Sequence, residues 1–122
     1  MKHDEPTLGR LRTIAPFDRC STRVLRALAP HVDRLRVRAG TVLAREDRES
    51  RELIVVLSGT VSRSRQGHEM RLEGAGTQIG GAALVDHRPH DATWRAHTDL
   101  DVLVVNGPAY RGVAHVLVQT AA

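Results

Sequence analysis

The chain has 122 residues, with 18 Lys+Arg against 14 Asp+Glu and a formal net charge of +4, a length that suits one domain. Hydrophobic residues at 41% and charged residues at 26% exclude a disordered or strongly self-repelling chain. The single cysteine, Cys20, excludes an internal disulfide and a cysteine-rich zinc site, and no apolar run approaches the roughly 20 residues of a membrane helix.

In chain order, residues 1–13 form a polar segment with room for one short helical turn at Leu8 and Leu11, and the domain proper is expected over 14–122. Ser21 offers an N-cap for a helix from about Thr22 to His31, whose Val24, Leu25, Leu28 and Val32 recur at helical spacing. Pro30 predicts a tight or broken final turn. The period then changes to two. Arg34–Arg38 alternates charge and aliphatic as a half-buried strand with its arginines outward, and Thr41–Ala44 resumes it after Ala39-Gly40. Arg45–Glu52 reads as a loop, and Leu53–Leu57, apolar on both faces, as a fully covered strand. Thr60–Arg65 and Glu69–Glu73 are strands joined at the hairpin signal Gln66-Gly67. A glycine cluster over 74–81, a small apolar turn at Ala82–Val85 and a polar loop at Asp86–Asp91 follow. Strands at Ala92–Thr98 and Leu100–Val105 lead to a last helix from Gly107-Pro108 to about Gln119. Some seven or eight short strands between helices predict a mainly β fold, an antiparallel roll or barrel with helical flanks. Valine (14) and leucine (13) against only three aromatics, Phe17, Trp94 and Tyr110, predict an aliphatic core.

One stretch is more specific than pattern. The order Leu72-x-Gly74-Ala75-Gly76-Thr77-x-Ile79-Gly80-Gly81-x-Ala83-Leu84, followed by Pro89-His90-Asp91-Ala92-Thr93, resembles the phosphate-binding cassette of the cyclic nucleotide-binding domain family. That family includes catabolite-activator-like transcription factors and the regulatory subunits of cAMP-dependent kinase. Ala39–Leu43, Leu53–Val61 and Leu103–Tyr110 resemble further landmarks in the same order, so the likeness covers about residues 14–118. It implies a β-roll (a double-stranded β-helix or jelly roll) of about eight strands. It also implies that Gly80 lets the backbone approach a ligand and that the amides of Gly80, Gly81, Ala82 and Ala83 face an anion.

The polar contacts depart from the family pattern. Where the family has a glutamate for the ribose hydroxyl this chain has Gly81, and where it has an arginine for the cyclic phosphate this chain has His90. Asp91 replaces a small hydroxyl residue ahead of Ala92, and the glycine usual near Asp47 is missing. Two lost charge-assisted hydrogen bonds cost roughly 1.5–3 kcal/mol each, on the order of 10²–10⁴ in affinity together, and Asp91 adds repulsion. The expected site, Gly80, Gly81, Ala82, Ala83, His90, Asp91 and Ala92, is therefore a degenerate cassette. Trp94, at an inward aliphatic position of the family, is expected to fill nucleotide space.

Other constellations are weaker. His87 and His90 lie three apart on a Pro-containing loop, which fixes no metal geometry, and no His-x-His of the cupin kind occurs. No Gly-x-Ser-x-Gly elbow is present. Cys20 beside the N-cap is a place where a thiol pKa can fall, though a lone thiol at a helix entrance is the plainer reading. Arg34, Arg36 and Arg38, and likewise Arg63 and Arg65, project from strand faces; without aromatic stacking partners they are a weak nucleic-acid signal, and a charged face that blunts edge pairing explains them as well. Seventeen of the 18 cations are arginine, which reads as codon habit; the positive balance is taken to be spread over the surface and absent from the pocket. Val113, Val116 and Leu117 are read as covering the roll, with a partner interface as the alternative.

The expectation is a cytoplasmic bacterial module without catalytic residues, metal or cofactor. It would act through an unknown protein partner or self-association, without cyclic nucleotide, nucleic acid or membrane. Ending at Ala122 directly after the closing helix, it is expected to carry no output domain. The alternatives are a small-ligand sensor that holds an anion on the cassette amides, and a basic nucleic-acid accessory protein.

Overall fold

Leu53, Ile54, Val55 and Val56 are all buried, yet they serve two different cores, because successive strand residues point to opposite faces. Leu53 and Val55 pack towards the helices with Leu103 and Val105, while Ile54 and Val56 pack between the sheets with Val102, Val61 and Trp94. The computed structural model describes residues 4–121, with side chains over 7–114. Its strands are β1 (Val32–Val37), β2 (Val42–Ala44), β3 (Glu52–Ser58), β4 (Val61–Arg65), β5 (His68–Glu73), β6 (Gln78–Ile79), β7 (Thr93–Ala96) and β8 (Leu100–Asn106). The helices are α1 (Asp4–Leu11), α2 (Thr22–Leu28), α3 (Gly81–Asp86) and α4 (Gly107–Ala121). Two antiparallel four-stranded sheets, ordered β1-β8-β3-β6 and β2-β7-β4-β5, face one another as a roll. The eight strands and flanking helices match the expected fold class.

Local chemistry explains most boundaries. The Ser21 side chain accepts a hydrogen bond from the Val24 amide at 3.3 Å and so caps α2. Pro30 turns the end of that helix into a 3-10 turn over Ala29–His31. Gln66 and Gly67 both have positive φ, 53° and 80°, as the tight hairpin between β4 and β5 requires.

The boundary drawn at residue 14 marks a change of composition and not of packing. α1 is a two-turn helix, and its Leu8 and Leu11 are buried in the helix-side core with Phe17, Leu25, Leu28 and Tyr110. The polar residues around them hid this, since two leucines in thirteen residues give little periodicity. Likewise the apolar turn Ala82–Val85 is part of a full helix, α3. Of the helix face assigned to Val113, Val116 and Leu117, Val113 packs on the helix-side core, and the other two side chains lie outside the described residues.

Candidate functional site

β6 delivers the chain into Gly80, which sits at φ 89° and caps α3. A side chain here is forbidden twice: by the left-handed backbone, and by space, since an added Cβ would lie 2.6 Å from the Glu52 carbonyl oxygen and 2.8 Å from Ser50 Oγ. Ser50 is itself 3% exposed, and its hydroxyl donates to the Gly80 carbonyl at 2.9 Å. The packing of the cassette on the start of β3 is therefore sufficient reason for Gly80. Beyond it the Leu84 amide donates to the Gly80 carbonyl at 3.1 Å, while helical geometry gives the amides of Gly81, Ala82 and Ala83 no intrahelical acceptor.

Gly81 is buried, and an added Cβ would stand 3.2 Å from Leu53 Cδ1 and 3.4 Å from the Tyr110 hydroxyl oxygen. A side chain at 81 would thus meet tight contacts from β3 and α4, which must give by a few tenths of an ångström. Tyr110 is buried against Phe17, ring edge to face at 6.4 Å, and burial pushes its phenol pKa up, with nearby Cys20 adding to the effect.

His90 is half-buried at the other wall. Its amide donates to the Arg48 carbonyl and its carbonyl accepts from the Asp47 amide, both at 2.9 Å. Asp47 adopts φ 65°, so the left-handed turn for which the family uses glycine is kept here by an aspartate, one of the few residues that tolerate it. Burial lowers the His90 pKa from its ordinary value and outweighs the opposing pull of Asp91, which favours the neutral imidazole at pH 7. This position supplies no fixed cation.

The cations come from elsewhere. Val61, Arg63 and Arg65 lie two apart on β4 and share one face, which runs from the fully buried Val61 through the half-buried Arg63 to the exposed Arg65. In register Arg63 stands opposite Trp94. Its guanidinium carbon lies 5.6 Å from the Trp94 ring centre, a cation–π distance. Asp91 Oδ2 is 3.6 Å from a terminal nitrogen of both Arg63 and Arg65, and Arg65 Nε donates to the Asp91 carbonyl at 2.9 Å. Two sequence readings are corrected here. β4 lies between β7 and β5, so its arginines guard no sheet edge, and positive charge is not absent from the pocket, since Arg88 lines the cleft beside Asp91. Reading each strand alone missed this, because only the pairing of Arg63 with Trp94 shows which way the face turns. The alternation from Val61 was the available signal. For Tyr110 no comparable signal exists.

Ala92 is fully buried and Trp94 is 9% exposed, packed in the inter-sheet core with Ile54, Val61 and Ile79. Gln78, Gly80–Ala83, Arg88, His90, Asp91, Trp94 and Tyr110 line a cleft of about 320 Å³, at the small end of the roughly 300–1,000 Å³ of ligand pockets. The structure thus brings every expected cassette residue except Ala92 to one cleft wall. A larger cavity of about 630 Å³ opens on the other side of His90, between β2 and the loop carrying Arg45, Arg48 and Arg51.

The remaining candidates fall away from this cleft. β1 is a sheet edge, and there Arg34 forks onto Asp101, with Nε 3.0 Å from Oδ1. That pair holds the Asp101 carboxyl below its usual range. Burial, then Asp18, pushes the Cys20 thiol up, the reverse of an activated cysteine. His87 is exposed and ends α3 at φ 54°. Among the described residues no group of three or more His, Cys, Asp or Glu is placed to hold a metal ion.

Residues 34–115 match the profile of the family described as the cyclic nucleotide-binding domain. No curated protein matches the chain by sequence. Among solved structures, the regulatory domain of Toxoplasma gondii PKA, co-crystallised with cAMP, superposes with a TM-score of 0.83 at 16% identity, over 95% of this chain and 47% of that one. A cyclic nucleotide-binding-like protein from Brucella abortus gives 0.73 at 24% identity, over 88% of this chain and 97% of that one. A cAMP-binding acyltransferase from Mycobacterium smegmatis, in a mutant form, gives 0.75 at 24%, over 95% of this chain and 38% of that one. The chain thus spans less than half of the PKA regulatory domain and of the acyltransferase, and at these identities the likeness is one of fold.

Proposed function

Because this chain belongs to the cyclic nucleotide-binding domain family, we propose that it is a non-enzymatic regulatory module that keeps the roll and does not bind cAMP or cGMP. It works in the cytoplasm, through a protein partner or through self-association. The observation that carries this reading is the state of the two anchoring positions. Gly81 has no side chain and has Tyr110 and Leu53 against it, and His90 is a half-buried imidazole whose pKa burial lowers. Trp94, 9% exposed in the inter-sheet core, adds bulk where a base would enter. The edge strand β5, with Met70 and Leu72 exposed, offers a surface for a partner. Among the described residues no helix is long and apolar enough to cross a membrane. Arg34, Arg63 and Arg65 lie against Asp101 and Asp91, which favours a protein partner over nucleic acid.

Calorimetric titration with cAMP and cGMP up to millimolar concentration tests the reading. No saturable heat and no thermal stabilisation are expected; micromolar binding of either overturns it. A second reading, an anion sensor using the amides of Gly81–Ala83, is favoured by the intact left-handed turn at Gly80. Under that reading cyclic nucleotides and simple anions would stabilise the protein in the same assay.

A further inference from the structure

We propose that the face of β4 bearing Arg63 and Arg65 is an oxyanion site, and that in the free chain the carboxylate of Asp91 occupies it as a built-in competitor. The inference goes beyond the functional reading above, because these arginines belong to the sheet and not to the cassette.

Two guanidinium groups share one face of a strand, two residues apart, and both reach the same oxygen of Asp91 at 3.6 Å. That is longer than the roughly 2.7–2.9 Å of a charge-assisted hydrogen bond, so one carboxylate spans the pair loosely. Each guanidinium has five N–H donors. Arg63 Nε is buried and has no acceptor among the described residues, although buried donors are as a rule paired. The Trp94 ring holds Arg63 in place from one side, and the hydrogen bond from Arg65 Nε to the Asp91 carbonyl holds Arg65. The cations are therefore fixed by contacts that do not involve the Asp91 side chain. Asp91 itself is 55% exposed, free to rotate outward without opening the core.

Such a site suits a phosphate-type dianion. It carries more charge than a carboxylate and offers three or more oxygens to donors spread over two guanidiniums. In the wild-type chain any such ligand must first displace Asp91, so the aspartate sets a threshold that monoanions do not cross.

The test uses inorganic phosphate as the probe, titrated at constant ionic strength against sodium chloride, with melting temperature and phosphorus NMR line width as readouts. The variant Asp91→Asn keeps the shape and removes the charge. Its expected response is saturable, with an apparent Kd at least about tenfold below that of the wild type. The double variant Asp91→Asn/Arg65→Gln is expected to lose that gain; Arg65 is half-exposed, so this change leaves the core intact. Equal responses from wild type and Asp91→Asn overturn the proposal, and so does a gain that survives loss of Arg65, which would assign the anion to the α3 amides. Binding of cAMP by the wild-type chain would overturn the functional reading and leave this comparison standing.

Discussion

Introducing the family's polar contacts tests the proposed loss of cyclic-nucleotide binding. The substitutions Gly81→Glu, His90→Arg and Asp91→Ser restore two charge-assisted hydrogen bonds at roughly 1.5–3 kcal/mol each, about 3–6 kcal/mol together. At about 1.4 kcal/mol per tenfold this is on the order of 10²–10⁴ in cAMP affinity. Two structural features subtract from it. The Cβ introduced by Gly81→Glu would meet Leu53 Cδ1 at 3.2 Å and the Tyr110 hydroxyl at 3.4 Å; both are side-chain ends able to shift, with an overpacking cost of about 1–3 kcal/mol in stability. Trp94 also stays in the cleft wall. The triple variant is therefore expected near the low end, about a hundredfold tighter than wild type. Adding Trp94→Val should give a further gain, at a cost of about 3 kcal/mol in stability. Titration calorimetry with cAMP reads the affinity, and scanning calorimetry verifies that each variant folds. A folded quadruple variant with no gain would refute the reasoning, because both the anchors and the space would then be present without binding.

Three other outcomes follow from single contacts. Leu11→Ala removes a fully buried side chain of the helix-side core and should cost about 2–5 kcal/mol in urea unfolding; a cost under about 1 kcal/mol would mean that α1 is not docked. Ser50→Ala strips the hydroxyl from the Gly80 carbonyl, a 2.9 Å bond, and leaves that oxygen with the Leu84 amide as its remaining donor. A loss of about 0.5–1.5 kcal/mol is expected, together with faster amide exchange at Gly80–Ala83; unchanged exchange would show that Ser50 does not hold the turn. His90 has a folded pKa below the ordinary 6.5 because burial disfavours its charged form, so the unfolded chain takes up the proton first. The stability this contributes is complete above that unfolded value and is lost as pH falls from it through the lower folded value. Wild type should therefore lose stability relative to His90→Gln on acidification from about pH 7.5 to about pH 5, and a difference independent of pH would sink the assignment.

Much of the fold was legible because burial imposes period. β3 is covered on both faces, and its apolar run Leu53–Leu57 says so; Gln66-Gly67, Ser21 and Pro30 each announce a turn, a cap or a break through their own backbone chemistry. α1 was legible only as a short helical turn, because a helix whose buried positions among the described residues are Leu8 and Leu11 has too few apolar positions to define a stripe. The cassette residues were legible as an ordered motif, but their environment was not. Asp47 hides a left-handed turn that a glycine would have advertised. The contact of Tyr110 with Gly81 joins residues 29 apart, on different helices, and nothing local encodes it.

The same distinction changes the meaning of Asp91. Counted along the chain, an aspartate in a phosphate cassette is only repulsive. Placed in the roll, it is the counter-charge of Arg63 and Arg65, and Arg63 in turn packs over Trp94. These residues form one unit: a bulky ring narrows the cleft, a guanidinium lies on the ring, and a carboxylate neutralises the guanidinium. Changing Asp91 alone to a hydroxyl residue would leave two cations without their shared carboxylate, and changing Arg63 alone would leave Asp91 with Arg65 only and uncover one face of the indole. The net charge of +4 thus has a local counterpart of two cations and one anion beside the cleft.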